Sequence, residues 1–155
     1  MGPSTPSCSS SSLRALPSNT PVQACQRIAR LHCLLHHPQK ACAHFFVEIK
    51  TYRSLANLSA RGLADDQMRD RFREFASGSI PTPKLVGISS FGTQLCVYTF
   101  TSETRTLEPA LITADAHVLN DVAPQNRWAF DMLDEEGEKR LREVVVAAKS
   151  MAANL

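Results

Sequence analysis

Acidic residues are missing from the whole N-terminal third of the chain. The 47 residues before Glu48 contain no aspartate or glutamate but hold four basic side chains, Arg14, Arg27, Arg30 and Lys40. The net charge of +2 therefore belongs to this segment, because the rest of the chain carries 13 basic against 15 acidic residues. That balance excludes a strongly basic nucleic-acid-binding domain after residue 47.

Three further absences narrow the function classes. No apolar run approaches the roughly 18 residues that a membrane span needs. The five cysteines are odd in number and irregularly spaced, and no secretion signal precedes them, which argues against a secreted disulfide scaffold. The six glycines are scattered and form no phosphate-binding loop, and Ser89 and Ser90 have no base nearby in sequence. We expect an intracellular protein, nuclear or cytoplasmic, without a membrane partner.

The N-terminal segment, residues 1–44, is expected to be a disordered or weakly helical tail. Residues 1–21 are dominated by Ser, Pro and Thr and are too poor in apolar residues to fold. Residues 22–37 carry apolar side chains at nearly helical spacing, which predicts a helix that Pro38 ends. An acid-free, Ser-rich and Arg-bearing segment is also typical of an organelle transit peptide, so a mitochondrial address stays open.

Residues 45–155 are predicted to form one α/β (α+β) domain. Residues 45–50 indicate a strand entered through an apolar run. After a loop, Ala64–Ala76 is predicted as a helix with Met68, Phe72 and Phe75 on one stripe. Asp65 and Asp66 are placed in its first turn, and Gly78 is its expected C-terminal end.

The second half of this domain is predicted to be a meander closed by a helix. Lys84–Ser89 and Gln94–Thr101 form a hairpin, and Thr106–Leu111 extends it as an edge strand that Pro109 limits. Thr113–Asp131 has little periodicity and is expected to wrap over the surface. A final helix follows Asp134, with a buried stripe formed by Leu141, Val144, Val145 and Ala148.

Glu48 and Lys50 are the residues that suggest chemistry. They share one face of the first strand because side chains alternate along a strand. A carboxylate can hold Mg²⁺ together with a main-chain carbonyl such as that of Ile49, since hard cations prefer oxygen ligands. A lysine on the same face can orient the attacking water or stabilise charge on a phosphate.

Glu48-Ile49-Lys50 resembles the second half of the PD-(D/E)xK motif of restriction-endonuclease-like enzymes. The predicted order of strand, helix, strand, strand resembles the second half of their core. In some branches a glutamine of the following helix joins the site, and Gln67 occupies a comparable place. Residues 45–150 are also similar to uncharacterised proteins of mushroom-forming fungi with a nuclease-like core. The resemblance implies catalytic roles for Glu48, Lys50 and Gln67, metal contacts from Glu48 and Ile49, Mg²⁺ as cofactor and nucleic acid as partner.

The sequence departs from that motif at the upstream catalytic aspartate, since no acidic residue precedes Glu48. Residues 22–44 also show no counterpart of the preceding hairpin. Either the site is catalytically inactive, or a partner chain supplies the aspartate, or an upstream segment is missing. We therefore expect a degenerate or truncated Mg²⁺-dependent nucleic-acid phosphodiesterase. The alternative is a non-catalytic protein-interaction module on a nuclease-derived scaffold.

Simpler interpretations remain for each of these features. Glu48 and Lys50 also fit an ion pair on an edge strand. Arg69, Arg71 and Arg73 fit either phosphate contacts or a solvated face paired with Asp70 and Glu74. His32, His36 and the cysteines near them fit either zinc binding or incidental enrichment. Asp65 and Asp66 fit either a substitute metal ligand or the start of a helix. Trp128 fits either base stacking or a buried anchor.

Overall fold

The computed structural model describes residues 29–37, 40–78, 80 and 82–153, with the side chains from residue 45 onward. Within this part, six strands form one mixed sheet in the order β1-β2-β3-β4-β5, and β6 pairs with the start of β4. The strands are β1 (Ala29–His37), β2 (Lys40–Lys50), β3 (Lys84–Phe91), β4 (Gln94–Thr101), β5 (Thr106–Glu108) and β6 (Phe130–Asp131). Among these described strands, only β2 and β3 run parallel.

The parallel pair requires a crossover, and helix α1 (Leu58–Ser77) provides it. Asn57 caps the helix, since its side-chain oxygen accepts a hydrogen bond of 3.0 Å from the main-chain N–H of Ala60. Helix α1 ends at Ser77 with Gly78 as its C-cap, the position at which the sequence predicts the end of the helix. A short 3₁₀ turn at Tyr52–Ser54 joins β2 to this helix.

The two faces of the sheet carry separate apolar layers. Phe46, Met68 and Phe72 pack between the sheet and α1, and the rings of Phe46 and Phe72 lie 5.0 Å apart. Helix α2 (Glu135–Ala153) covers the other face, where Val144 belongs to one apolar cluster with Val86, Ile88 and Leu95. The described chain is therefore a sheet between two helices, which confirms the predicted α+β class. None of the helices in the described residues is both long and apolar enough to span a bilayer.

Gly87 sets how closely α1 approaches the sheet. A Cβ atom at this position would lie 2.6 Å from Cζ of Phe46 and 2.8 Å from Cε of Met68. Real side chains do not approach this closely, so the core on the α1 side is built around the missing methyl group.

The helix predicted over residues 22–37 is wrong where the structure describes that segment. Ala29–His37 is strand β1, paired antiparallel with β2, and the earlier residues lie outside the described part. Leu31, Cys33 and Leu35 occupy every second position, although Leu34 breaks the alternation with polar residues, so the segment fits strand spacing as well as approximate helical spacing. Pairing with β2, which places Leu31 opposite Val47, decides between the two. A hairpin for which the sequence showed no counterpart is therefore present, and β2 begins at Lys40.

Helix α1 also begins six residues earlier than predicted. Asp65 and Asp66 are consequently its eighth and ninth residues, and no acidic residue occupies the first turn. The sequence did not predict this earlier start because Gly62 lies within it, and glycine disfavours helix interiors. The predicted hairpin is confirmed, with Gly92 at φ 61° in its turn. The predicted edge strand is shorter than expected and ends at Glu108, before Pro109.

Candidate functional site

Glu48 and Lys50 lie on the α1 face of β2, in the interior of the sheet. Because side chains alternate along a strand, Glu48 and Lys50 share this face with Phe46. Their exposed fractions are only 3% and 4%. Strand β2 has β1 on one side and β3 on the other, so the edge-strand interpretation is wrong. Two charged groups this deeply buried need partners on the same face.

Those partners form an internal ion cluster. Nζ of Lys50 lies 3.4 Å from Oε2 of Glu48, and Nε of Arg71 lies 3.5 Å from Oε1 of the same carboxylate. Arg71 comes from α1 and is 25% exposed. Its hydrogen bond to Glu74, with a smaller contribution from Glu48, raises the pKa of Arg71 against the opposing effect of burial. Both oxygens of Glu48 therefore face a cation.

Gln67 lies one helical turn before Arg71, on the same side of α1. Its amide oxygen Oε1 is buried and has no hydrogen-bond partner within the described residues. The structure thus places the predicted glutamine on the helix face that carries Arg71. Ile49 lies between Ala29 and Ser90 in the sheet, where main-chain carbonyls serve the interstrand ladder.

A magnesium ion does not fit this cluster. Mg²⁺ is usually held by one or two carboxylates together with waters and substrate phosphates. Here one carboxylate is shared by two cations, and the repulsion between these cations and a divalent ion opposes binding. No group of three His, Cys, Asp or Glu side chains that could hold a metal is present in the described part of the chain.

A second buried cluster centres on Asp65, for which the sequence left open a substitute metal ligand or a helix-start residue. Arg69 binds its carboxylate through two hydrogen bonds of 2.8 and 3.2 Å. Arg127 and the hydroxyl of Tyr98 each bind Oδ1 at 2.7 Å. Burial, reinforced by the neighbouring thiol of Cys96 and by Asp65, raises the pKa of Tyr98. Asp65 is fully engaged, so it does not substitute for a missing metal ligand.

This second cluster fixes the segment that follows β5. Arg69 and Arg127 also donate to the main-chain carbonyls of Pro109 and Ala110 at 2.9 and 2.8 Å. Arg61 does the same for Ala123 at 2.8 Å. The partners are 40, 17 and 62 positions apart in sequence, so no local pattern could have indicated them.

Several alternatives from the sequence are decided by these contacts. Trp128 is the buried anchor, and its ring N–H donates to the hydroxyl of Ser89 at 3.3 Å, so it offers no free face to a base. Arg73 forms the expected exposed pair with Asp70, whereas Arg69 is buried and structural. His32 and His36 lie on a strand, so they are not one helical turn apart, and their side chains lie outside the described part.

Comparison of the chain with protein-family models, with curated proteins and with solved structures found no match.

Proposed function

We propose that this domain is a degenerate PD-(D/E)xK nuclease-like fold that no longer hydrolyses phosphodiesters and serves as a non-catalytic interaction module. Its support begins with the element order. A hairpin leads into the strand with Glu48 and Lys50, and a helix and two further strands follow. The sequence departed from the family pattern in two ways, by lacking the preceding hairpin and by lacking the upstream aspartate. The hairpin of β1 and β2 removes the first of these departures.

The observation that carries the loss of catalysis is the ion cluster around Glu48. In an active site of this kind the carboxylate holds a metal and the lysine faces the substrate. Here Lys50 and Arg71 neutralise Glu48 from two sides. Strand β1 brings no replacement carboxylate, because its residue in register with Glu48 is Arg30 and it contains no acidic residue.

The second candidate is an active Mg²⁺-dependent phosphodiesterase that receives its second carboxylate from another chain. The observation in its favour is the buried amide oxygen of Gln67, which has no partner among the described residues. Such an oxygen is costly to leave unsatisfied and is suited to contact a water or a cation. This candidate predicts that activity depends on metal and on Glu48.

A cleavage assay separates the two candidates. The full chain is incubated with single- and double-stranded DNA and RNA, with Mg²⁺ or Mn²⁺ and in parallel with EDTA. The matched control is the Glu48→Gln/Lys50→Ala double variant, purified in the same way. We expect no cleavage above the level of this variant under any condition. Metal-dependent cleavage that the variant loses would overturn the proposal and establish the enzyme.

A further inference from the structure

A groove with an apolar floor and a basic rim opens beside the C-terminal half of α1. Its volume is about 330 Å³. Phe72, Phe100 and Leu107 contribute to its apolar lining, and Leu111 forms a wall that is 59% exposed. Glu48, Lys50 and Arg71 are not among its lining residues, so the groove is distinct from the Glu48 cluster.

The rim of the groove presents positive charge to a ligand. Arg105 is exposed and has no ion pair with any residue that the structure describes. Arg73 is also exposed, and its pairing with Asp70 is a surface contact of small energy. Arg69 lines the inner side but is held by Asp65. The groove therefore suits an apolar side chain that has acidic neighbours.

The same chain displays an element with that chemistry on another surface. Leu133 is 79% exposed and stands directly before Asp134, Glu135 and Glu136, all of which are exposed. We define this Leu133–Glu136 element as the acidic knob. A turn holds it in place, because the carboxylate of Asp131 accepts a hydrogen bond of 3.0 Å from the N–H of Leu133. A fixed conformation lowers the entropy cost of binding.

The acidic knob cannot enter the groove of its own molecule. Gln94 donates to Asp131 at 2.7 Å, which places the knob at the first residue of β4. Phe100 in the groove lies six residues further along the same strand, about 20 Å away at roughly 3.3 Å per residue. The occupant must come from another molecule.

From this complementarity of charge and apolar character we propose that the groove binds the acidic knob of a second copy of this chain. Leu133 of one copy enters the apolar groove, and its three acidic neighbours face Arg73 and Arg105 of the other copy. The contact joins two different surfaces, so each added copy leaves one groove and one knob free, and assembly can continue. The proposal gives the interaction module a partner, yet it is independent of whether the chain cleaves nucleic acid.

Two other occupants fit less well. The first 47 residues of the chain are acid-free, and their arginines would be repelled by the rim. A nucleic acid would place phosphates near Arg73 and Arg105, but Phe72 and Phe100 are buried in the floor and offer no ring face for a base to stack on.

Sedimentation velocity of the full chain tests the proposal. We expect the average mass to rise with protein concentration at low salt and to fall as salt screens the rim charges. Arg105→Glu reverses one of the two rim charges of the groove, and Leu133→Asp removes the apolar side chain of the knob. Each variant alone should associate at least about tenfold more weakly. Leu119→Asp and Arg53→Glu, which alter an exposed leucine and an exposed arginine elsewhere, should behave like the wild type.

Mixing the two variants gives the sharpest result. The Arg105→Glu chain keeps its knob and the Leu133→Asp chain keeps its groove, so an equimolar mixture has one working contact. We expect heterodimers whose mass stops at twice that of the monomer. A monomeric wild type at all concentrations, or a mixture that stays monomeric, would overturn the proposal. Loss of oligonucleotide binding in Arg105→Glu, with the wild type monomeric, would instead assign the groove to phosphates. Neither result depends on the cleavage assay, so failure of this proposal is distinguishable from failure of the proposed function.

Discussion

At the scale of single residues, the domain is organised by two buried carboxylates that are each surrounded by cations. Glu48 lies between Lys50 and Arg71, and Asp65 lies between Arg69 and Arg127. Burying a carboxylate is costly unless it is paired and hydrogen-bonded. The pairing in both places explains why these charges persist inside an apolar core.

Asp65→Asn should be one of the more damaging single substitutions in the described domain. It leaves two largely buried guanidinium groups without their carboxylate, and loss of one partner of a buried pair costs about 3 kcal/mol. Urea unfolding followed by circular dichroism measures this loss. The exposed neighbour Asp66 gives the matched control, since Asp66→Asn should change the unfolding free energy by less than about 0.5 kcal/mol. Equal stability of the two variants would contradict the structural role of Asp65.

Asp131 should make the stability of the acidic-knob turn dependent on pH. The hydrogen bond from the N–H of Leu133 lowers the pKa of the Asp131 carboxyl group below the usual 3.8. The folded state therefore favours the ionised form, so the stabilisation is complete above that value and is lost as pH falls through the lowered pKa. The measurement is the difference in unfolding free energy between the wild type and Asp131→Asn. This difference should be constant near neutral pH and shrink in acid, and a pH-independent difference would contradict the assignment.

At the scale of elements, the sequence predicted those segments whose own periodicity agrees with their tertiary environment. The hairpin of β3 and β4 and the apolar stripe of α1 with Met68 and Phe72 belong to this group. Strand β1 does not, because Leu31 and Leu35 satisfy helical and strand spacing alike. Only pairing with β2, a non-local interaction, makes it a strand.

Gly87 tests how tightly α1 packs on the sheet. Gly87→Ala should destabilise the domain by about 1 to 3 kcal/mol, because the added methyl group overlaps Phe46 and Met68. Gly62→Ala is the matched control within α1, where the nearest atom to an added Cβ, on Val122, is 3.5 Å away. Removing a glycine from a helix interior should stabilise by up to about 1 kcal/mol. Thermal unfolding of both variants measures the change in stability, which should be a loss for Gly87→Ala and a gain for Gly62→Ala. An unchanged stability of Gly87→Ala would contradict the tight packing.

At the scale of the whole molecule, the fold brings the residues of the site together, and the sequence predicted only some of these contacts. The alternation of β2 correctly predicted that Glu48 and Lys50 share a face. It could not reveal that Arg71 reaches Glu48 from α1, because that contact depends on how the helix crosses the sheet. For the same reason the links from Asp65 to Tyr98 and Arg127 became evident only with the fold.

The central claim is that Glu48 belongs to an internal ion cluster and does not hold a metal. Urea unfolding of the wild type and of Glu48→Gln, each with and without millimolar Mg²⁺, tests it most directly. The variant deprives Lys50 and Arg71 of their shared carboxylate, so we expect a loss of about 3 kcal/mol that Mg²⁺ does not alter. Glu74→Gln removes the exposed partner of Arg71 and should cost less than about 1 kcal/mol.

A metal site would give the opposite pattern in the same measurement. Glu48→Gln would then be as stable as the wild type or more so, because catalytic sites often sacrifice stability. Mg²⁺ would stabilise the wild type by ligand linkage and leave the variant unchanged. A destabilised variant that is insensitive to Mg²⁺ supports the degenerate site, and a Mg²⁺-stabilised wild type contradicts it.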